Sequence, residues 1–100
     1  MAQAYLISPQ DQTIAPIEVA DKAAIAAAIG YSTLETDAVD NDRLFFDEEC
    51  FIRATPGRFQ IDSLIPVAGK GVVVGVADDG ETLTDVQIDL ETLRSRTAFK

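Results

Sequence analysis

Carboxylates are the most abundant reactive side chains in this chain, and they concentrate in one segment. Between residues 35 and 49 the sequence has seven acids and a single base, Arg43. Hard cations such as Ca²⁺ and Mg²⁺ prefer oxygen ligands of this kind. The spacing departs from that of an EF-hand calcium loop, and no glycine between Gly30 and Gly57 supplies the sharp turn of such a loop. The acids are Glu35, Asp37, Asp40, Asp42, Asp47, Glu48 and Glu49.

A second use for these carboxylates is electrostatic. The chain has 17 Asp and Glu against 8 Lys and Arg, which gives a net charge of −9. We expect no direct binding of nucleic acid, because that affinity comes from Lys and Arg that neutralise phosphates. A negative field instead steers a basic protein surface towards the seven acids. Two alternatives stay open: a small-molecule or divalent-cation site that uses the acidic turns, and solvated turns with no binding role.

The chain lacks the residues that most other kinds of catalytic, metal or phosphate site require. The chain has no histidine, so the common Ser and Cys nucleophiles lack their usual base, and with one cysteine the ordinary zinc and iron-sulfur sites are excluded. Cys50 follows acids that disfavour a thiolate, which predicts a small core residue. Gly69-Lys70-Gly71 has Leu64 and Gly71 where a phosphate-binding loop needs Gly and Ser or Thr. We therefore predict a non-enzymatic protein with no catalytic residue, metal site or cofactor.

The elements that position these residues begin with a predicted hairpin. Apolar runs at residues 4–7 and 13–19 flank a cluster of turn formers, and Pro16 places the second strand at a sheet edge. An alanine-rich helix follows, with Asp21 as its N-cap and Gly30 at its end. Alternation over residues 33–38 then predicts a strand with Glu35 and Asp37 on one face.

An acidic meander is predicted next. Asp40-Asn41-Asp42 and Asp47-Glu48-Glu49 are turns, and they separate strands at residues 44–46 and 50–52. Arg58 to Ile61 is one further short strand.

The apolar run at residues 72–77 predicts the central strand of the sheet. Asp78-Asp79-Gly80 then turns the chain into a returning strand over residues 82–88. A short helix over residues 89–96 closes the chain, with Asp89 as its cap. A single helix from Asp85 is the alternative, since apolar residues also recur there at spacings of three and four.

These elements predict an α+β domain over residues 1–100. A small, mostly antiparallel sheet, made of the N-terminal hairpin, the acidic meander and the central valine-rich strand, packs with an alanine-rich helix and a short C-terminal helix. No apolar run is long enough to span a membrane, and the N-terminus lacks the pattern of a signal peptide, so we expect a cytoplasmic protein. The predicted core comprises Leu6, Ile25, Ile29, Phe46, Phe51, Ile52, Val72, Val74 and Val76.

The order of motifs resembles a family of small, uncharacterised bacterial and phage-encoded domains of unknown function. The resemblance rests on short motifs spread over most of the chain: Ile7-Ser8-Pro9, Ile29-Gly30-Tyr31, Asp47-Glu48-Glu49 and the run from Gly69 to Gly75. It implies a compact α+β domain, often carried by phages or mobile elements. It implies no catalytic residues, because the family has no established activity.

Overall fold

Nine strands and two helices are present in the computed structural model, which describes residues 1–100. In chain order they are β1 (Ala2–Ser8), β2 (Thr13–Val19), α1 (Lys22–Ile29), β3 (Leu34–Val39), β4 (Asp42–Asp47), β5 (Arg58–Ile61), β6 (Val67–Ala68), β7 (Gly71–Val76), β8 (Leu83–Thr84), α2 (Leu90–Arg96) and β9 (Thr97–Phe99). Neither helix is long and apolar enough to cross a bilayer.

All strand pairs are antiparallel, and they form two sheets. The larger sheet has the order β2-β1-β7-β4-β3, and β8 pairs with the end of β7. The smaller sheet has the order β6-β5-β9. With two helices packed on these sheets, the predicted α+β class is confirmed.

Strand β7 lies at the centre of the larger sheet and is buried on both faces, as its continuous valine run predicts. Val72 and Val74 pack with Ile25 and Ile29 of α1. Val73 points the other way, into the core formed with the smaller sheet and α2. The molecule therefore has three layers, and the larger sheet is the middle one.

The predicted hairpin and alanine-rich helix are present, although β1 runs from Ala2 to Ser8 and is longer than the predicted residues 4–7. Strand β2 is an edge strand, as Pro16 predicts, because a residue without an N–H group is tolerated best where one side of the strand has no neighbour. The Asp21 side chain accepts a 2.9 Å hydrogen bond from the Ala24 N–H and caps α1. Gly30 ends the helix with a φ of 98°, a left-handed conformation that glycine adopts at little cost.

The predicted third strand of the meander, residues 50–52, is wrong. Residues 48–54 form successive turns, and the Phe51 and Ile52 side chains are exposed by 51% and 84% rather than buried in the core. The reason lies in β4, whose two edges are already paired with β3 and β7. A strand at residues 50–52 has no free edge of β4 to join.

Other parts of the predicted core and chain end need smaller corrections. Leu6, Phe46 and Val76 are only partly buried. Of the returning strand over residues 82–88, only β8 pairs with β7. Residues 85–89 are not helical and α2 begins at Leu90, so the alternative of a single helix from Asp85 is wrong. Helix α2 follows with its predicted Asp89 cap, at 3.0 Å from the Thr92 N–H. The three-residue strand β9 is not predicted by the sequence.

Candidate interaction surface

The acidic segment folds mainly as the β3–β4 hairpin at one side of the larger sheet. Val39 pairs with Asp42 across a two-residue turn, and Glu35 pairs with Phe46 further along the hairpin. Asp40 occupies the turn with a φ of 56°, a conformation that Asp tolerates better than most residues. Since β3 is the last strand of the sheet, its outer edge has no neighbouring strand.

Asp42 is predicted to be a solvated turn residue, but the structure buries it to 2% exposure. Its carboxylate accepts hydrogen bonds from the backbone N–H groups of Gln87 at 3.0 Å and Ile88 at 2.9 Å. Strand pairing with β7 ends at Thr84, and these bonds hold the backbone of Gln87 and Ile88 instead. Asp42 therefore fixes the segment between β8 and α2 and is inaccessible to a partner.

Asp47 is also buried to 2% exposure, which corrects its predicted place on the surface. Its carboxylate accepts hydrogen bonds from the Thr33 hydroxyl, from the Glu49 N–H at 3.2 Å and from Arg53 Nε at 2.8 Å. Burial by itself raises the pKa of Asp47, but these hydrogen bonds and the charge of Arg53 outweigh burial and hold the pKa below its ordinary value.

Arg53 links the loop over residues 48–54 to the rest of the hairpin. Besides Asp47, its guanidinium contacts Glu49 Oε2 at 3.4 Å and lies 4.2 Å from the centre of the Tyr31 ring. Backbone hydrogen bonds within the loop, such as Arg53 N–H to the Glu49 carbonyl at 2.9 Å, add to this order. The loop is therefore held in one shape.

Asp40 is exposed but engaged in a second set of ion pairs. Arg96, at the end of α2, places its guanidinium 2.6 Å from Asp40 Oδ2 and also binds the carboxylate of Asp62. Hydrogen bonds to Asp62 and Asp40 raise the pKa of Arg96, which stays charged at any physiological pH. Asp40 and Glu49 therefore both have a positive partner within the fold.

Four of the seven predicted site residues have no ion pair, and three of these four are not buried: Glu35, Asp37 and Glu48. Glu35 and Asp37 lie two residues apart on one face of β3. Glu48 lies at the open end of the same hairpin, where its N–H donates to the Thr33 carbonyl at 2.6 Å. We call these three residues the acidic edge.

Two residues of this surface were not among the predicted site residues. Phe51 and Ile52 lie in the loop that begins at Glu48, and the buried Cys50 anchors that loop from below with an exposure of 3%. The Arg58 guanidinium lies 5.2 Å from the centre of the Phe51 ring. In sequence an apolar triplet between polar residues looks like a buried strand, so no local signal separates this loop from a core segment.

The carboxylates do not converge on a common point. Asp42 and Asp47 lie at opposite ends of β4, and no three His, Cys, Asp or Glu side chains in the molecule are close enough together to hold a metal ion. The geometry therefore gives no support to a divalent-cation site in the acidic turns.

Comparison with known protein families, with curated protein sequences and with solved structures gives no significant match. The resemblance to phage-encoded domains therefore stays an expectation from the sequence motifs.

Proposed function

We propose that the protein is a small, acidic, non-enzymatic interaction domain that binds a basic surface of another protein. The observation that carries the proposal is that Glu35, Asp37 and Glu48 have no ion pair within the chain, and that the exposed Phe51 and Ile52 lie in the loop that begins at Glu48. Following the sequence resemblance, we propose that it is an accessory protein of a phage or mobile element, and we keep the cytoplasmic location expected from the sequence.

The contact surface combines features typical of protein interfaces. Such interfaces have an apolar, often aromatic centre and a polar rim. Phe51 and Ile52 supply the apolar centre, and Glu48 begins the rim. Because Asp47 and Arg53 already order the loop in the free protein, less conformational entropy is lost when a partner binds.

The charges of the acidic edge favour a basic partner in particular. No Lys or Arg of the chain pairs with Glu35, Asp37 or Glu48. Their charges therefore act outward, and complementary charges speed the encounter of two proteins. The lack of histidine and the burial of Cys50 support a binding role over a catalytic one.

Capture of partners from the native host tests this proposal. The variant Glu35→Gln/Asp37→Asn/Glu48→Gln removes the charges of the acidic edge and keeps side-chain size. We expect a basic protein that binds the unmodified chain to bind this variant more slowly and more weakly, by surface plasmon resonance. Ile52→Ser, in the same assay, should speed dissociation because it removes apolar contact.

A matched control removes three negative charges elsewhere. Asp11→Asn/Glu18→Gln/Asp78→Asn has the same net charge as the acidic-edge variant, but its substitutions lie outside the hairpin. The control should keep nearly the original affinity. Equal losses in both variants would mean that only net charge matters, and equal binding by the acidic-edge variant and the unmodified chain would overturn the proposal.

A further inference from the structure

A groove with a volume of about 480 Å³ lies on the α1-facing side of the larger sheet. Helix α1 has eight residues and so is about 12 Å long, which covers only part of this face. Phe45, with an exposure of 3%, and the partly buried Val76 form the apolar floor, and Lys22 lies at the α1 wall. The turns after β3 and β7 border the groove at the same end of the sheet. Its size is within the range of ligand pockets, which is about 300–1,000 Å³.

Arg43 is the base without an ion pair in this groove. Strand register places it between Ala38 of β3 and Val74 of β7, and both neighbours are apolar. Like Arg58, Lys70 and Lys100, Arg43 takes part in none of the six ion pairs of the chain, and among these four residues it alone lines the groove. Its guanidinium thus offers unpaired donors to whatever occupies the groove.

The acids that border the groove mostly have other partners. Asp40 is paired with Arg96, and Asp42 directs its carboxylate to the backbone of Gln87 and Ile88. Asp78 alone has no hydrogen bond or ion pair within the chain. Lys22 is 3.4 Å from Glu81, but both side chains are exposed, and such pairs contribute little.

From these contacts we infer that the groove binds a small organic anion, a carboxylate or phosphate group attached to an apolar body. Arg43 binds the anionic group, because a guanidinium matches two oxygens of a carboxylate or phosphate. Lys22 adds a second positive charge. The apolar body lies on Phe45 and Val76, and Asp78 at the rim accepts a hydrogen bond from a donor group on the same ligand.

This inference is independent of the proposed partner surface. The groove lies on the α1-facing side of the β3–β4 hairpin, whereas Glu35 and Asp37 share the opposite face with Val39. The acidic-edge variant is therefore expected to bind the small anion as well as the unmodified chain does.

Titration of the ¹⁵N-labelled protein, followed by NMR, tests the inference. The probes are 3-phenylpropionate and phenyl phosphate, which distinguish a carboxylate from a phosphate, with inorganic phosphate and phenethylamine for comparison. We expect at least one of the first two to shift the amide signals of Ala38, Arg43 and Val76 in a saturable way. Arg43→Gln should weaken that binding by about tenfold or more, because it removes a charge-assisted contact.

The control variant is Lys70→Gln, which removes another exposed base without an ion pair and should leave affinity unchanged. Arg43 is exposed, so Arg43→Gln is expected to keep the fold, which its own NMR spectrum verifies. Absence of saturable shifts with both phenyl anions, or equal affinity in Arg43→Gln, would overturn the inference. Binding of inorganic phosphate as tightly as the phenyl anions would also contradict the inference, because inorganic phosphate does not use the apolar floor. Equally tight binding of phenethylamine would contradict it too, because a cation does not use Arg43.

Discussion

Two buried carboxylates, Asp42 and Asp47, lie at the two ends of β4. Each of them accepts hydrogen bonds from another segment of the chain, on opposite sides of the sheet. Asp42 accepts hydrogen bonds from a backbone segment beside Ile88, in the core shared with the smaller sheet. Asp47 accepts hydrogen bonds from Thr33 and Arg53, beside the Tyr31 ring, which packs on the α1 side. A charge taken out of water is tolerated only when hydrogen bonds or ion pairs replace its solvation, and both residues meet that condition.

Asp47→Asn should lower the free energy of unfolding by about 1.5–3 kcal/mol, the range for hydrogen bonds to charged groups. The amide keeps one acceptor oxygen but turns an NH₂ group towards donors, and it leaves Arg53 without its buried counterion. Urea denaturation at pH 7 measures the change. The neighbouring exposed variant Glu48→Gln is the control and should stay within about 0.5 kcal/mol.

The same variant has a defined pH dependence. The folded pKa of Asp47 is lowered, so its contribution is complete above the unfolded value of about 3.9 and is lost as the pH falls through the folded pKa. The stability gap between the unmodified chain and Asp47→Asn should therefore narrow below about pH 4. A gap that stays constant down to pH 2 would show that the charge of Asp47 does not stabilise the fold.

Burial of these two acids is not predictable from the sequence. An Asp beside Asn41 or Glu48 favours a solvated turn when only neighbours in sequence are considered. The donors that satisfy Asp42 lie 45 and 46 positions further along the chain, and only the folded topology brings them near. The shared face of Glu35 and Asp37, by contrast, is predictable from the alternation in β3.

At the scale of elements, the local sequence pattern is enough to predict a helix or strand when the residues that begin and end it are part of that pattern. Helix α1 has a cap at Asp21 and a stop at Gly30, and the valine run of β7 indicates burial on both faces. Pairing between distant strands is what the pattern does not contain. Residues 50–52 have strand-like composition, but β7 has already taken the edge of β4 that they would need.

Gly75→Ala tests how closely β7 and β8 approach. A methyl group at this position would lie 2.7 Å from the Asp85 carbonyl oxygen and would overlap the Thr84 hydroxyl. We expect a loss of about 1–3 kcal/mol in the free energy of unfolding, the range for overpacking, together with faster amide exchange in β8. Val74→Ala, which loses buried apolar surface instead, should cost about 1–3 kcal/mol without selective effect on β8.

A double variant separates the two contacts of that methyl group. Adding Thr84→Ala to Gly75→Ala removes the hydroxyl but leaves the Asp85 backbone in place, so it should restore only part of the lost stability. If Gly75→Ala leaves both stability and exchange unchanged, β8 moves away from β7 at little cost, and their close approach does not require glycine.

At the scale of the whole molecule, three layers follow from a central strand that is apolar on both faces. The sequence predicts the α1 layer because an alanine-rich helix can approach a sheet closely. It predicts β5 and α2 of the opposite layer but not β6 and β9, which have two and three residues and are too short to show a periodic pattern. Phe59 and Leu93 nevertheless form the centre of that layer's core.

The net charge makes the thermal stability of the whole molecule depend on the salt concentration. The molecule measures 32 × 28 × 21 Å, close to the Debye length of about 30 Å at 0.01 M salt, so its charges repel across the entire protein. At 0.15 M the Debye length is about 8 Å, and only near neighbours interact. With a net charge of −9, the melting temperature should rise between these two salt concentrations, as scanning calorimetry can measure.

Association with a basic partner should become slower and weaker as the salt concentration rises. The negative field that destabilises the free protein is also the field that attracts the partner, and salt screens it. The acidic-edge variant separates the two effects: with a net charge of −6, it should melt at a higher temperature in low salt and gain less from added salt. The unmodified protein could instead melt at a lower temperature as salt rises, which would mean that its six ion pairs outweigh the repulsion among its acids. In that case the acidic edge would not lower the stability of the free protein.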